Sequence, residues 1–226
     1  MSDLNLQISR VTRTRSQARV VYNRMSRWYD LLEKGFERKA VEIGLRLLRP
    51  QQGEEILELG FGTGNSIIEI ARSVGNLGKV CGLDISTGMQ HVTQRKLDKQ
   101  GLSQRVELIT GDAALLPYDA EVFDAIFMSF TLELFDTPEI PVVLSECRRV
   151  LKKNGRICVV AMSKKTGGAM VSLYERAHRA LPKYIDCRPI FLTELLKACN
   201  FEILHAKTIK MWGFPVEISL VRIPAS

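Results

Sequence analysis

The chain has 226 residues, of which 46% are hydrophobic and 25% are charged. This composition is typical of one globular domain and excludes a disordered or fibrous chain. Its five widely spaced cysteines include no C-x-x-C pair, so neither a disulfide framework nor a metal site is expected. No signal peptide and no apolar run near the ~20 residues of a membrane span is visible, which predicts a cytoplasmic protein.

The net charge of +7 is concentrated near the start of the chain. Residues 1–49 contain eleven Lys and Arg but only five acidic residues. Such a segment is either a solvated helix face or a surface that contacts an anionic membrane, so a peripheral position on the membrane is one interpretation. No nucleic acid partner is expected, because the basic residues lack interleaved aromatic residues and no RNA-binding module is attached.

Apolar periodicity predicts an α/β chain. Helical spacing predicts helices over residues 12–34 and 36–48. From residue 55 to residue 162, short apolar runs alternate with helical patterns, which indicates βαβ units and a parallel sheet covered on both faces. The predicted strands are Glu55–Leu59, Lys79–Leu83, Val106–Thr110, Phe123–Ser129 and Arg156–Met162, and the predicted helices between them are Asn65–Ser73, Thr87–Gln100 and Glu139–Lys152.

The pattern changes after residue 168. Helices are predicted over Met170–Leu181 and Leu192–Cys199, followed by strands over Glu202–Ile209 and Val216–Ile223. The six residues between these strands are too few for a crossover helix, which predicts antiparallel pairing. The whole chain is predicted to be a single domain, 1–226, made of a helical cap (1–49), a core (50–162) and a C-terminal part (163–226).

The strongest local signal is the glycine-rich turn at residues 60–64, between a predicted strand and a predicted helix. Glycines permit a tight turn and let a ligand approach the backbone, at the edge of an open α/β sheet where ligands bind. A dinucleotide is disfavoured because Asn65 occupies the third small position of G-x-G-x-x-G. Glu58 would also repel a pyrophosphate, whereas it suits a cofactor that carries an ammonium group.

Acidic residues end the next two predicted strands. Asp84 follows the turn by about twenty residues, where a carboxylate can accept hydrogen bonds from both ribose hydroxyls. Asp112, followed by Ala113, can accept a hydrogen bond from an adenine amino group. Taken singly, each acid is equally well explained as a loop or helix-cap residue. Their order at successive strand ends favours a nucleoside cofactor.

These motifs resemble those of class I S-adenosylmethionine-dependent methyltransferases, and more narrowly the branch of ubiquinone/menaquinone-biosynthesis C-methyltransferases. The resemblance extends from about Tyr22 to Lys164. It departs from that branch at Phe61 in the glycine turn and after Ser129, where the Gly-Leu-Arg-Asn of the branch is absent. It is densest in four segments, which are residues 56–64, 82–86, 111–117 and 149–156.

The resemblance implies an α/β, Rossmann-like methyltransferase fold with a seven-stranded, mostly parallel doubly wound sheet of order 3-2-1-4-5-7-6, strand 7 being antiparallel. It also implies S-adenosylmethionine as the cofactor and S-adenosylhomocysteine as its product. Among the expected cofactor-binding residues, Glu58 would contact the ammonium group, and Gly60, Gly62, Thr63 and Gly64 would flank the methionine and ribose. Asp84 would accept hydrogen bonds from the ribose hydroxyls, and Asp112 and Ala113 would hold the adenine. Ser129 would face cofactor and acceptor, and Tyr22 and Tyr29 would lie in an N-terminal helix that closes over the cofactor.

The function so implied is methyl transfer by in-line displacement to a small, apolar or aromatic acceptor of the quinone or phenol type. Tyr174 and His178 are the catalytic candidates, because they lie four residues apart on one predicted helix face and a histidine titrates near neutral pH. A plain surface histidine is the alternative. The residues predicted to line an apolar acceptor cavity are Trp28, Met128, Phe130, Met170, Phe191, Trp212 and Phe214.

Three other functions remain open at this point. A phospholipid amine N-methyltransferase would use the basic N-terminal segment at an anionic membrane surface. A regulatory protein could bind the cofactor without catalysis. An NAD-dependent oxidoreductase is disfavoured by Glu58 and Asn65. The Asn/Asp-Pro-Pro-Tyr motif of amino-directed nucleic-acid methyltransferases is absent, which favours a small-molecule acceptor.

Overall fold

The computed structural model describes residues 37–165, 188–211 and 213–224. Within these ranges helices and strands alternate along the core, and a helix and two strands follow. A short 3-10 helix also spans Leu132–Leu134. The helices are α1 (Arg38–Leu48), α2 (Asn65–Val74), α3 (Thr87–Gln100), α4 (Ile140–Val150) and α5 (Leu192–Ala198), and the strands are β1 (Glu55–Leu59), β2 (Lys79–Asp84), β3 (Val106–Thr110), β4 (Phe123–Ser129), β5 (Leu151–Met162), β6 (Glu202–Met211) and β7 (Phe214–Arg222).

The seven strands form one sheet in the order β3-β2-β1-β4-β5-β7-β6. Strands β1 to β5 pair in parallel, whereas β7 pairs antiparallel with both β5 and β6. Met211 is paired in register with Phe214, so β6 and β7 form a tight hairpin, shorter than the six-residue link expected from the sequence. The predicted fold and strand order are therefore confirmed.

Both faces of the sheet are covered, because strand side chains alternate between two hydrophobic clusters. In β4, Ile126 and Met128 face the cluster that includes α4 and α5, whereas Ala125 and Phe127 face the cluster that includes α1, α2 and α3. All four are fully buried, as expected for a strand at the centre of a parallel sheet. Burying a side chain as large as Phe127 contributes about 1.5–3 kcal/mol.

Strand β5 begins five residues before its predicted start. β5 starts at Leu151 and not at Arg156, and its register with β4 shifts between the partners of Phe123 and Ala125. Residues 154–155, between the predicted helix and the predicted strand, therefore lie in an irregular part of this strand. The prediction was wrong because the apolar alternation begins only at Arg156, while the backbone pairs with β4 before it.

Several predictions fall outside the described residues. They include the helices over 12–34 and Met170–Leu181, and most of the helical cap at 1–49. The division of the chain into cap, core and C-terminal part therefore stays a prediction. Among the described helices, none is both long and apolar enough to span a bilayer.

Candidate cofactor and acceptor site

The turn after β1 has a conformation that glycine adopts more readily than any other residue. Gly60, Gly62 and Gly64 have φ angles of 73°, 51° and 86°, in the left-handed region where a Cβ is strained. The Gly60 N–H donates to the carbonyl of Leu83 at 2.8 Å, and the Gly64 N–H to the carbonyl of Phe61 at 2.9 Å. One hydrogen bond thus lies within the turn, and the other connects the turn to the end of β2.

Two of these glycines have different surroundings. A Cβ on Gly60 would lie 2.2 Å from Thr131 Oγ1, so this position is closed by the segment that follows β4. A Cβ on Gly62 would have no atom of the described residues beyond its own chain neighbours within 4 Å. Gly60 is therefore required by packing, whereas Gly62 borders open space from which a ligand can approach the backbone.

Asp84 points at this turn from the end of β2. Its Oδ2 accepts a hydrogen bond from the Gly62 N–H at 3.0 Å, and its Oδ1 accepts one from the Ser86 N–H at 2.8 Å. Burial raises the pKa of Asp84, and the backbone N–H groups of Ser86, Gly62 and Ile85 act in the opposite direction. A carboxylate has about four acceptor positions, so Asp84 can still accept from hydroxyl groups while it holds the turn.

Asp112 and Ala113 follow β3 at the same edge of the sheet. Asp112 Oδ1 accepts from the Ala114 N–H at 2.9 Å, which fixes the loop, and Ala113 is buried. Gly111 links this loop to β2, since its N–H donates to the carbonyl of Asp84 at 2.9 Å. Ser129, at the end of β4, is half-buried. The structure therefore brings Asp84, Asp112 and Ser129 to the carboxyl ends of neighbouring parallel strands.

Glu58 and Thr63 are buried more deeply than the other predicted residues. Glu58 is fully buried, and its Oε1 accepts a hydrogen bond from Ser66 Oγ at the start of α2. Thr63 is 1% exposed, and its Oγ1 accepts from the side-chain amide of Asn65 at 3.4 Å. In the described structure both residues support the turn, and their contact with a cofactor stays a prediction.

The arrangement fits a nucleoside cofactor on observations of this chain alone. Open space lies beside Gly62, and the Asp84 carboxylate lies next to it with acceptor capacity for a ribose. The loop of Asp112 and Ala113 follows the neighbouring strand, where an adenine can reach it. S-adenosylmethionine has these two parts, so Asp84 would hold its ribose and Asp112 with Ala113 its adenine. Tyr22 and Tyr29 lie outside the described residues.

A buried acid that could not be recognised in the sequence also lies at this edge, after β4. Glu133 lies in the 3-10 helix after β4, is fully buried, and accepts a hydrogen bond from the Met162 N–H at 3.0 Å through Oε1. Burial raises the pKa of Glu133 to about 7. The signal available was a single acid between Leu132 and Leu134, directly after a strand end where a catalytic group is often placed.

The described residues among those predicted to line one apolar cavity do not all pack in one cluster. Met128 and Phe191 belong to the cluster around α4 and α5, whereas Phe130 and Phe214 belong to the cluster on the opposite face. Alternation along β4 would place Met128 and Phe130, two residues apart, on the same face. The chain leaves β4 after Ser129, however, and Phe130 has a left-handed φ of 48°, which turns its ring to the opposite face. The other members of that set, together with Tyr174 and His178, lie outside the described residues, and their roles stay predictions.

Comparison with known families supports this interpretation of the edge. The family model described as a methyltransferase domain matches residues 56–155, which contain the glycine turn, Asp84, Asp112 and Glu133. Residues 56–155 are therefore similar to a methyltransferase domain. This confirms the resemblance to class I S-adenosylmethionine-dependent methyltransferases that the glycine turn and the strand-end acids indicated.

The curated proteins to which this chain is similar include enzymes of quinone biosynthesis. The ubiquinone/menaquinone biosynthesis C-methyltransferase of Allorhizobium ampelinum is 29% identical over 171 residues, which are 73% of this chain and 66% of that protein. The demethylmenaquinone methyltransferase of Lactobacillus johnsonii is 32% identical over 137 residues, 61% of this chain and 55% of that protein. The chain thus spans between about half and two thirds of the length of these relatives.

Solved structures share the fold of this chain. A SAM-dependent methyltransferase from Aquifex aeolicus superimposes with a TM-score of 0.60 at 18% identity, over 84% of this chain and 92% of that one. At this identity the likeness concerns the fold, and function must be argued from the site itself.

Proposed function

We propose that this protein is an S-adenosylmethionine-dependent methyltransferase whose acceptor is a small, apolar or aromatic molecule of the quinone or phenol type. The observation that carries the proposal is the contact between Asp84 and the Gly62 N–H beside open space at the turn. The quinone or phenol type is supported by relatives whose names describe methyltransferases of menaquinone and ubiquinone biosynthesis.

The chain's own residues would mainly bind and orient the reactants. S-adenosylmethionine supplies a methyl group already activated by a positively charged sulfur. Asp84 and the Asp112 loop fix the nucleoside at the carboxyl ends of β2 and β3, while the segment after Ser129 limits the space on the acceptor side. Holding two reactants in line can supply about 7–11 kcal/mol of the barrier reduction, and excluding water favours loss of charge from sulfur.

A pair of glycine variants tests the cofactor site. Gly62 and Gly101 both have positive φ angles, 51° and 66°, and a Cβ on either would meet no atom within 4 Å in the part of the chain that the structure describes, its own chain neighbours aside. Gly62→Ala and Gly101→Ala should therefore share a backbone cost of about 1 kcal/mol. Only Gly62→Ala should weaken binding of S-adenosylhomocysteine, by at least tenfold in calorimetry. Equal affinities in both variants would place the cofactor elsewhere.

The cofactor and acceptor classes need separate measurements on the wild-type chain. Calorimetry should show binding of S-adenosylhomocysteine and none of NAD. Transfer of labelled methyl groups should then be measured to a short-tailed demethylmenaquinol, to a simple phenol, and to vesicles of phosphatidylethanolamine with an anionic lipid. Transfer to the vesicles alone would replace the quinone or phenol proposal, and binding without any transfer would favour a regulatory protein.

A further inference from the structure

Glu133 stands apart from the other charged residues of the site by its position. The chain leaves β4 at Ser129, and Phe130 has a left-handed φ of 48°, which is uncommon for a residue with a side chain. Thr131 then lies against Gly60, and Glu133 follows two residues later. The acid therefore lies beside the glycine turn, between the ends of β4 and β5.

The Glu133 carboxyl group is only partly satisfied. Oε1 accepts from the Met162 N–H at 3.0 Å, while Oε2 is buried and has no hydrogen-bond partner among the described residues. A buried polar oxygen without a partner costs about 1–3 kcal/mol, so it needs an explanation. A substrate group that donates a hydrogen bond to Oε2 would provide one.

Arg188 is the charged group that acts on this carboxyl within the described part of the chain. It is fully buried, and it donates from Nε to the carbonyl of Glu133 at 3.2 Å and from Nη1 to Thr137 Oγ1 at 2.8 Å. A further bond reaches the carbonyl of Phe135. Arg188 thus fixes the backbone of the 3-10 helix, and its charge favours the ionised form of Glu133.

We infer that Glu133 Oε2 is the proton acceptor for an acidic O–H group of the methyl acceptor, such as a phenol or quinol hydroxyl. The inference rests on the proposed function. In this step the acceptor O–H bond breaks, its electron pair remains on the acceptor oxygen, and the proton forms a new O–H bond with the Glu133 carboxylate. The oxyanion that results is a stronger nucleophile than the neutral hydroxyl, whether through its oxygen or through the conjugated ring carbon.

The acid–base properties of Glu133 suit this role. Burial raises its pKa to about 7, while the Met162 N–H and Arg188 act in the opposite direction. A group that titrates near the working pH is the most effective proton acceptor. The proposal adds a candidate to Tyr174 and His178, and the variants below separate them.

Glu133→Gln is the central test, because glutamine keeps an oxygen for the Met162 N–H but cannot accept the proton. Methyl transfer to a short-tailed demethylmenaquinol should fall at least 100-fold, with the affinity for S-adenosylhomocysteine within twofold of wild type. The wild-type kcat/KM should rise with pH to a plateau above about pH 7, and the variant profile should lose this rise. Glu133→Asp should recover part of the rate.

Glu194→Gln is the matched control, since Glu194 also has a buried Oε2 without a hydrogen-bond partner in the described residues but lies on α5, which packs against β6 and β7. Its rate and pH profile should equal those of the wild type. His178→Ala should leave the pH rise in place. Loss of the rise in His178→Ala, with full activity in Glu133→Gln, would overturn the inference.

Infrared difference spectroscopy provides a readout that does not depend on turnover. The wild type should show a protonated carboxyl band that disappears as pH rises through about 7, and the band should be absent in Glu133→Gln and present in Glu194→Gln. If the wild type binds S-adenosylhomocysteine and methylates the quinol while Glu133→Gln does so equally well, the inference alone fails. If the wild type binds no S-adenosylhomocysteine, the proposed function fails, and the inference with it.

Discussion

The two halves of the sheet edge each contain a buried carboxyl group, and their surroundings differ. The half at the ends of β2 and β3, where the cofactor is proposed to bind, is called the cofactor half. Here both oxygens of Asp84 accept hydrogen bonds from backbone N–H groups, those of Gly62 and Ser86. The half at the ends of β4 and β5, where the methyl acceptor is proposed to bind, is called the acceptor half. Here one oxygen of Glu133 accepts a hydrogen bond from the Met162 N–H, and the other has no hydrogen-bond partner in the described ranges. Burial raises the pKa of both groups.

This difference separates a binding role from a proton-transfer role. Backbone N–H groups favour a charged carboxylate and hold it in one orientation, which suits a group that accepts hydrogen bonds from a ribose. A carboxyl group with one oxygen lacking a partner exchanges its proton more easily near neutral pH, which suits a base. A buried carboxyl group thus suits binding at Asp84 and proton transfer at Glu133, because the backbone N–H groups around the two side chains differ.

The largest expected effect, on the free energy of unfolding, comes from the contact between Gly60 and Thr131, which joins the two halves. Gly60→Ala places a Cβ 2.2 Å from Thr131 Oγ1 at a φ of 73°, so overpacking and backbone strain should together cost about 3–4 kcal/mol of unfolding free energy. Adding Thr131→Ala removes the closest contacts and should recover about 1 kcal/mol. Denaturant unfolding of the two single variants and the double variant measures the coupling energy between Gly60 and Thr131. If the two single changes in unfolding free energy simply added, the two halves would be independent.

The next effect concerns stability against pH. The pKa of Glu133 is about 7 in the folded chain against an ordinary value of 4.5, so between these pH values the unfolded state loses its proton first. Stability should therefore fall as pH rises from 4.5 to 7, by at most about 3 kcal/mol. Glu133→Gln should lack this fall when unfolding is compared at pH 5 and pH 8. If the free energy of unfolding changed with pH in the same way in the wild type and in Glu133→Gln, Glu133 would not titrate near pH 7, and it would not differ from Asp84 in this respect.

Asp84→Asn should then test the binding role. The amide keeps one acceptor oxygen but turns an NH2 group toward a backbone N–H donor, and hydrogen bonds to a charged group contribute about 1.5–3 kcal/mol each. The affinity for S-adenosylhomocysteine should fall about 100-fold in calorimetry. Asp98→Asn is the control, because Asp98 binds Ser103 and Gln94 on an exposed surface. A similar loss in both variants would argue against a specific cofactor contact.

The cofactor half could be predicted from the sequence because its signals are local. Apolar runs alternating with helical patterns fix parallel strands, and the carboxyl ends of parallel strands meet at one edge. The acids Asp84 and Asp112, each directly after such a run, therefore had to lie near the glycine turn. The strand order needed the family resemblance, since alternation alone does not determine which strands are neighbours.

The acceptor half could not be predicted in the same way. The burial of Glu133 depends on a backbone N–H of Met162, 29 residues away, and on Arg188, 55 residues away. Neither contact leaves a periodic pattern. The described members expected to line one cavity also divide between two clusters, because the left-handed φ of 48° at Phe130, which separates its ring from Met128, could not be predicted from the sequence.

The smallest effect should arise at the opposite edge of the sheet, where no ligand is proposed. Arg156 makes two bonds of 2.8 Å to the Glu54 carboxylate and also donates to the carbonyls of Leu48 and Arg49. Lysine cannot reproduce this planar, bidentate geometry, so Arg156→Lys should cost about 1 kcal/mol in denaturant unfolding. Its affinity for S-adenosylhomocysteine should equal that of the wild type. A tenfold loss would mean that general weakening of the fold impairs binding, and the losses assigned to Asp84 and Gly62 would then no longer identify a site.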